Sequence, residues 1–282
     1  MTAIALITAP LDEATRNARV YRGDILVFRQ LAGMRALRDR VAEHLRRVMG
    51  DDPESVHRAM NGAGIEAASN ALRRDLGRDE AIREALYAAL REAGVEPGRT
   101  YEDGLKLRVQ PPAEGARGIV TEPLGAHRDT WGSNVMAQTN WWSPVMPVTA
   151  ERTIALLPAY FARPVANNST GWDLAEVLRR RRKGEPLDDY PFLPVVEEAP
   201  DPSEAVAMEI EPGDLMCFSG AHLHASVPNT TDRTRFSLEI RTVNADDAAA
   251  GRCAPNVDGR AVRTAWQWFR RLSDGERLGG MV

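Results

Sequence analysis

The strongest constraint on the fold is a period-two pattern. In Leu105-Lys-Leu-Arg-Val-Gln110, Leu105, Leu107 and Val109 fall on one side, and Lys106, Arg108 and Gln110 on the other. Arg235–Val243 repeats it, with Phe236, Leu238 and Ile240 alternating with Arg235, Ser237, Glu239 and Arg241. Successive strand side chains point to opposite faces, so each segment predicts a strand with one apolar face to bury. Pro111-Pro112 ends the first strand, because proline cannot donate to a ladder. Further apolar strands are expected at Ile25–Phe28, Ile119-Val120, Asn134–Met146, Thr153–Leu157 and, after the Glu211-Pro-Gly-Asp214 turn, Leu215–Phe218.

The layer that covers such a face is legible before residue 100. Met34, Leu37, Val41, Leu45 and Val48 recur at helical spacing, with Gly50 as the stop. A second helix from about Asp79 carries Ile82, Leu86 and Leu90 and ends at Gly94; residues 53–76 read as less regular helix. His44 and His57 lie among these helices and are read as packing or surface residues. A helix is expected at Trp172–Arg182, with Ser169 or Thr170 as cap, its acids first and Arg179–Lys183 last, as the helix dipole favours. A final helix is expected at Ala261–Leu272, with Val262, Trp266, Phe269 and Leu272 on one stripe. The expected architecture is α+β, mainly β: helices on an antiparallel core of short strands, as in a jelly roll. The chain reads as one domain over 1–282. Residues 1–99 are mainly helical, 100–245 form the β core with an insert at 159–207, and 246–282 carry the last helix.

Charge and composition narrow the function. The 36 basic and 40 acidic residues leave a net charge of −4, so a polyanionic partner such as nucleic acid is not expected. Nearly every basic residue is arginine (Lys106 and Lys183 are the lysines), which lowers the weight of any single one. No apolar run approaches the ~20 residues needed to cross a bilayer, and the N-terminus has no basic n-region, so neither a membrane partner nor a secretory signal is expected. Cys217 and Cys253 are too few for a disulfide framework or structural zinc site, and a cytoplasmic location follows as the expectation.

The five histidines carry the chemistry. In Gly125-Ala-His127-Arg-Asp129, an extended chain would point His127 and Asp129 the same way, about 7 Å apart, so their tips can converge on one ion. A third ligand would complete two histidines and a carboxylate, the facial set of non-haem Fe(II) oxygenases. Two candidates, His222 and His224, stand in Ser219-Gly-Ala-His222-Leu-His224-Ala-Ser226-Val-Pro-Asn229. Eleven residues past His224, Arg235 and Ser237 share a strand face, a guanidinium fork and a hydroxyl suited to a carboxylate.

This arrangement resembles the Fe(II)/2-oxoglutarate-dependent oxygenases of the phytanoyl-CoA dioxygenase-like superfamily, which includes ectoine hydroxylase. The motifs are His127-Arg-Asp129, His224-Ala-Ser226-Val-Pro-Asn229, Arg235 eleven residues on, and the Pro212-Gly-Asp214 turn. The likeness covers about residues 100–243 and the generally helical N-terminus. It implies a double-stranded β-helix (cupin-like) fold, with His127, Asp129 and His224 rather than His222 on Fe(II), and Arg235, Ser237 and Gln110 on 2-oxoglutarate. O2 would be the other cosubstrate and a small molecule the substrate; hydroxylation is the base expectation. Desaturation, cyclisation or epimerisation would use the same residues. The family's Asn-Gly turn and Pro-Gly-Ser-His stretch are replaced by Glu151-Arg-Thr153 and Leu157-Pro158-Ala-Tyr160, so no particular substrate is carried over. Asn140, Trp142 and Arg241 are candidates for the substrate pocket, shaped by the insert. The competing readings are a cupin-like binding protein without chemistry and a zinc hydrolase. Arg235 with Ser237 weighs against hydrolysis, which needs no carboxylate clamp beside its metal.

Overall fold

The computed structural model describes residues 3–113, 122–187 and 190–279. Two sheets face each other. The larger has eight strands: β1 (Ile4–Ile7), β2 (Ile25–Phe28), β3 (Thr100–Glu102), β4 (Lys106–Gln110), β5 (Gln138–Pro144), β8 (Leu215–Ser219), β10 (Arg235–Asn244) and β11 (Arg270–Arg271). Its order is β1-β2-β8-β5-β10-β3-β11, with β4 beside the first half of β10. The smaller sheet runs β7 (Val206–Ala207), β6 (Ile154–Leu156), β9 (His224–Ser226). The result is the expected mixed α+β jelly roll. The strand expected at Ile119-Val120 lies outside the described residues.

Alternation divides the large sheet into two chemistries. Leu107, Val109, Phe236, Leu238, Ile240 and Trp141 join a core with the helices α2 (Ala32–Met49), α4 (Gly62–Leu76) and α5 (Glu80–Glu92). The opposite face, carrying Trp142, Met216 and Phe218, meets Ile154 and Leu156 of the small sheet. β2 is buried along its length because Leu26 and Phe28 join the helical side while Ile25 and Val27 join the inter-sheet side. The adjacent Trp141 and Trp142 divide in the same way, and both are buried. At Gly33 the α2 backbone comes so close to α5 that a Cβ would lie 2.3 Å from the Ala89 nitrogen. Glu92 of α5 accepts the Ala32 and Gly33 N–H groups at 2.7 and 2.8 Å, capping α2 from its neighbour.

Three expectations are corrected. Residues 261–272 form no helix: a 3-10 turn covers Trp266–Trp268, and β11 pairs with β3. Val262 is 80% exposed, so the apparent stripe had no common surface to cover, and pairing to the β3 edge buries Phe269 and Leu272 instead. The insert helix, α7 (Leu174–Lys183), is capped by Asp173, which accepts from the Ala175 N–H at 2.8 Å, not by Ser169 or Thr170. The strand expected from Asn134 begins at Gln138, because Asn134 has φ of 53° and closes α6 (Thr130–Ser133).

Candidate active site

The two sheets enclose a cavity of about 630 Å3 whose wall includes His127, Asp129 and His224. His127 and His224 form an antiparallel bridge, exchanging N–H···O bonds of 2.9 and 3.0 Å. Residues paired in this way put their side chains on one face, and the two ring centroids are 4.2 Å apart. Each imidazole Nδ1 is 2.8–3.0 Å from a carbonyl, of Gly125 and His222 respectively. A carbonyl only accepts, so Nδ1 carries the proton and Nε2 keeps its lone pair free for a metal.

Asp129 joins them by a turn rather than by strand parity. Its backbone is already helical (φ −62°, ψ −29°) where α6 begins, and this swings the carboxylate back toward the His127 Nε2 at 3.8 Å. One ligand atom from each of the three residues lies within 4.8 Å of the others. Burial works to raise the Asp129 pKa, but Arg241 and the two histidines hold it down at about 2. Burial and the neighbouring His224 pull His127 down to about 3. A neutral His127 imidazole and an ionised Asp129 carboxylate are protonation states that binding a divalent cation requires.

Supporting residues fix these three. Arg128, between His127 and Asp129 in the chain, is buried and pairs with Asp258 at 3.1 Å, while its Nη2 donates to the Tyr160 and Arg163 carbonyls. Asn140 Nδ2 donates to the Asp129 Oδ2 at 2.6 Å, and the Arg241 Nη1 lies 3.4 Å from Oδ1. Asn140 and Arg241 line the cavity, but their polar atoms hold Asp129 and, for Arg241, also Asp103 at 2.5 Å. Asp103 had no signal in the sequence, since an acid in a loop is ordinary. Trp142 also lines the cavity, with its indole N–H buried and unpartnered.

His222 is turned away. Its Nε2 is 3.0 Å from the Gly23 carbonyl, its ring packs 4.6 Å from Phe161, and burial pulls its pKa down to about 4. Gln110, Arg235 and Ser237 lie together on the strand face that carries Arg108 and Arg241, outside the residues that line the cavity. Arg235 sits opposite Gln110 in the β4–β10 register, with Ser237 two residues along, and all three are nearly or fully buried. Arg235 Nη1 donates to the Thr153 carbonyl, whereas its Nε and Nη2, the Ser237 Oγ and the Gln110 Oε1 have no partner. Burial and Arg108 pull the guanidinium down to about 9 against the opposing pull of Glu239. A desolvated cation beside an unpartnered hydroxyl fits an anionic ligand, and the histidine–carboxylate donor set fits Fe(II).

Comparison with known proteins agrees with this geometry. Residues 176–237 match the family model "Phytanoyl-CoA dioxygenase (PhyH)". No curated protein sequence matches the chain. Among solved structures, EvdO2 from Micromonospora carbonacea var. aurantiaca complexed with 2-oxoglutarate is 15% identical over 85% of this chain and 93% of that one, with a TM-score of 0.53. EvdO2 without that ligand gives 15%, 86%, 94% and 0.52. The non-haem α-ketoglutarate-dependent carbocyclase SnoK from nogalamycin biosynthesis is 17% identical over 93% and 98% of the two chains, with a TM-score of 0.43. The EvdO2 likeness establishes the fold, and with the family match it bears out the resemblance read from the motifs.

Proposed function

We propose that this chain, of the phytanoyl-CoA dioxygenase type by its family match and fold, is an Fe(II)- and 2-oxoglutarate-dependent oxygenase. It oxidises a C–H bond of a small molecule, by hydroxylation in the simplest outcome, with succinate and CO2 as co-products. The observation that carries this is the pairing of two features in one inter-sheet space. The His127–Asp129–His224 group faces the cavity, and the buried, anion-deficient Arg235 lies on the strand face that Glu239 and Arg241 carry into it. EvdO2, whose fold the chain shares, was solved with 2-oxoglutarate, which supports the same cosubstrate here.

When bound, iron and 2-oxoglutarate would together supply the electrons that activate O2, redox chemistry that no side chain has. The protein's part is binding and orientation. His127 and His224 offer Nε2, Asp129 offers a carboxylate oxygen, and Asn140 and Arg241 keep that carboxylate ionised and aimed. The free Nε and Nη2 of Arg235 form the fork for the far carboxylate of 2-oxoglutarate, with the Ser237 hydroxyl beside it. Gln110 Nε2 is committed to the Val227 carbonyl at 2.9 Å, and its unpartnered Oε1 can only accept, so it would act on the cosubstrate only through a donor such as Arg235. Retention of all three candidate metal ligands together with the Arg235 clamp weighs against a cupin-like binding module that has lost the chemistry. Residues 1–282 act as one oxygenase domain. With Cys217 and Cys253 both unpaired, a reducing interior, the cytoplasm, is the proposed location.

The test is anaerobic addition of Fe(II) and 2-oxoglutarate. The weak visible charge-transfer band should need both, and should vanish in His224→Ala. No band, together with no 2-oxoglutarate consumption in air, overturns the assignment.

A further inference from the structure

Charge along the cavity wall is unevenly settled. Lys106 and Arg241 share Asp103, at 2.7 and 2.5 Å, and Arg128 has Asp258. Three more arginines line the same cavity: Arg73 from α4, Arg108 from β4 and Arg181 from α7. Among the described residues, none of these three has a carboxylate within ion-pair distance.

Their placement is built rather than incidental. Arg73 Nε donates to the Leu107 carbonyl at 2.9 Å, which seats its guanidinium next to Arg108. Arg108 is 6% exposed; its Nη2 donates to the Glu122 carbonyl and its Nε has no partner. Arg181 reaches over Phe192, its guanidinium carbon 5.9 Å from the ring centroid. Burial and the charge of Arg108 lower the Arg73 pKa, and burial lowers that of Arg108, with Glu239 as the acid opposing both and Glu122 also opposing at Arg108. Like charges gathered in a half-dry site disfavour one another until an anion comes between them. Beside them the wall is apolar: Trp172, Leu174, Leu178 and Phe192 all line the cavity, and Leu178 remains 41% exposed.

We propose that Arg73, Arg108 and Arg181 form an anion subsite for the substrate, holding a carboxylate or phosphate group while an apolar body lies against Trp172, Leu174, Leu178 and Phe192. The proposal rests on the oxygenase reading only in placing this ligand as the molecule to be oxidised. Arg108 stands opposite Ser237 in the β4–β10 register and so borders the clamp at Arg235, but unlike Arg235 it lines the cavity. It explains why the 159–207 insert brings a basic helix to the cavity: α7 supplies both the rim charge and part of the apolar surface.

Trp142, Trp172 and Trp268 line the cavity, so binding is read by intrinsic fluorescence on the full chain. Octanoate, octyl phosphate and octanol are titrated into protein with saturating 2-oxoglutarate and Mn(II), and again without either. At least one anionic probe should bind about tenfold or more tighter than octanol, as a charge-assisted contact provides, and the better of the two identifies the group. Arg73→Gln/Arg108→Gln should erase that preference while leaving octanol affinity unchanged. Arg181→Ala, an exposed change that does not threaten folding, should reduce it severalfold. Equal affinity for octanol, an unchanged preference in Arg181→Ala and in whichever of the other variants fold, no saturable binding of either anion, or displacement of the anions by 2-oxoglutarate would each overturn the subsite. A missing charge-transfer band with this preference intact would instead sink the oxygenase reading alone.

Discussion

Replacing Arg235 with methionine removes a buried charge but keeps most of the stem, and it should move stability and binding in opposite directions. In the free protein the guanidinium is 2% exposed, gives one hydrogen bond to the Thr153 carbonyl, and leaves Nε and Nη2 unsatisfied. Exchanging a buried charge for a well-packed apolar group of similar volume is often neutral to stabilising by about 1–4 kcal/mol. Against this, the lost bond to the Thr153 carbonyl costs about 1 kcal/mol. The net expectation is a variant up to about 3 kcal/mol more stable without ligand, with a melting temperature up to several degrees higher at about 2 °C per kcal/mol. The cosubstrate should suffer instead. Charge-assisted bidentate capture of a carboxylate contributes about 1.5–3 kcal/mol, so the 2-oxoglutarate constant should rise roughly 10- to 150-fold. Arg235→Lys should recover only part, since an ammonium lacks the planar fork. Thermal melts with Mn(II), across a 2-oxoglutarate titration, read both quantities: the ligand-dependent rise seen in the wild type should shrink in the variant. A 2-oxoglutarate constant within twofold of wild type, or a ligand-free protein that melts well below it, would refute the reasoning and make Arg235 a structural residue.

Two other outcomes follow from named contacts. His224→Ala should abolish Mn(II) binding by calorimetry with the fold retained, whereas His222→Ala should retain binding and lose stability, because His222 fills a packed site against Phe161; the reverse pattern would exchange the two histidines. Asp79 caps α5 through the Ala81 N–H, and its hydrogen bond to His44, helped by Arg40, holds it at about 2 against an ordinary 3.8. A depressed acid stabilises above its unfolded value and stops doing so as pH falls through the folded one. Asp79→Ala should therefore cost about 1 kcal/mol near neutrality as a lost cap and show a shallower loss of stability between pH 4 and 2, checked by urea unfolding.

The division between what sequence and tertiary structure decide runs through single residues. Period-two alternation in 105–110 and 235–243 was enough to predict two strands, to assign Leu107 and Phe236 to the helical side and to put Arg108 on the same face as Gln110. That follows because a strand's geometry ties parity to face whatever it packs against. The motifs singled out His127, Asp129 and Arg235 for the same reason, chain order and residue type being local properties, while the family resemblance chose His224 over His222. Where the polar face points is not local. Lys106, Arg108 and Gln110 could have faced solvent; a second sheet, assembled from β6, β7 and β9, turns that face into a cavity wall. Asp129 reaches the histidines by a turn into α6 that no alternation reveals, and Asn140 and Arg241, read as pocket residues, are engaged by Asp129 once the chain brings positions 11 and 112 residues apart together. At 261–272 local helical spacing lost to the unpaired edge of β3. Pairings across such distances depend on loop closure and on which backbone edges remain open, and these are settled only when the whole chain is folded.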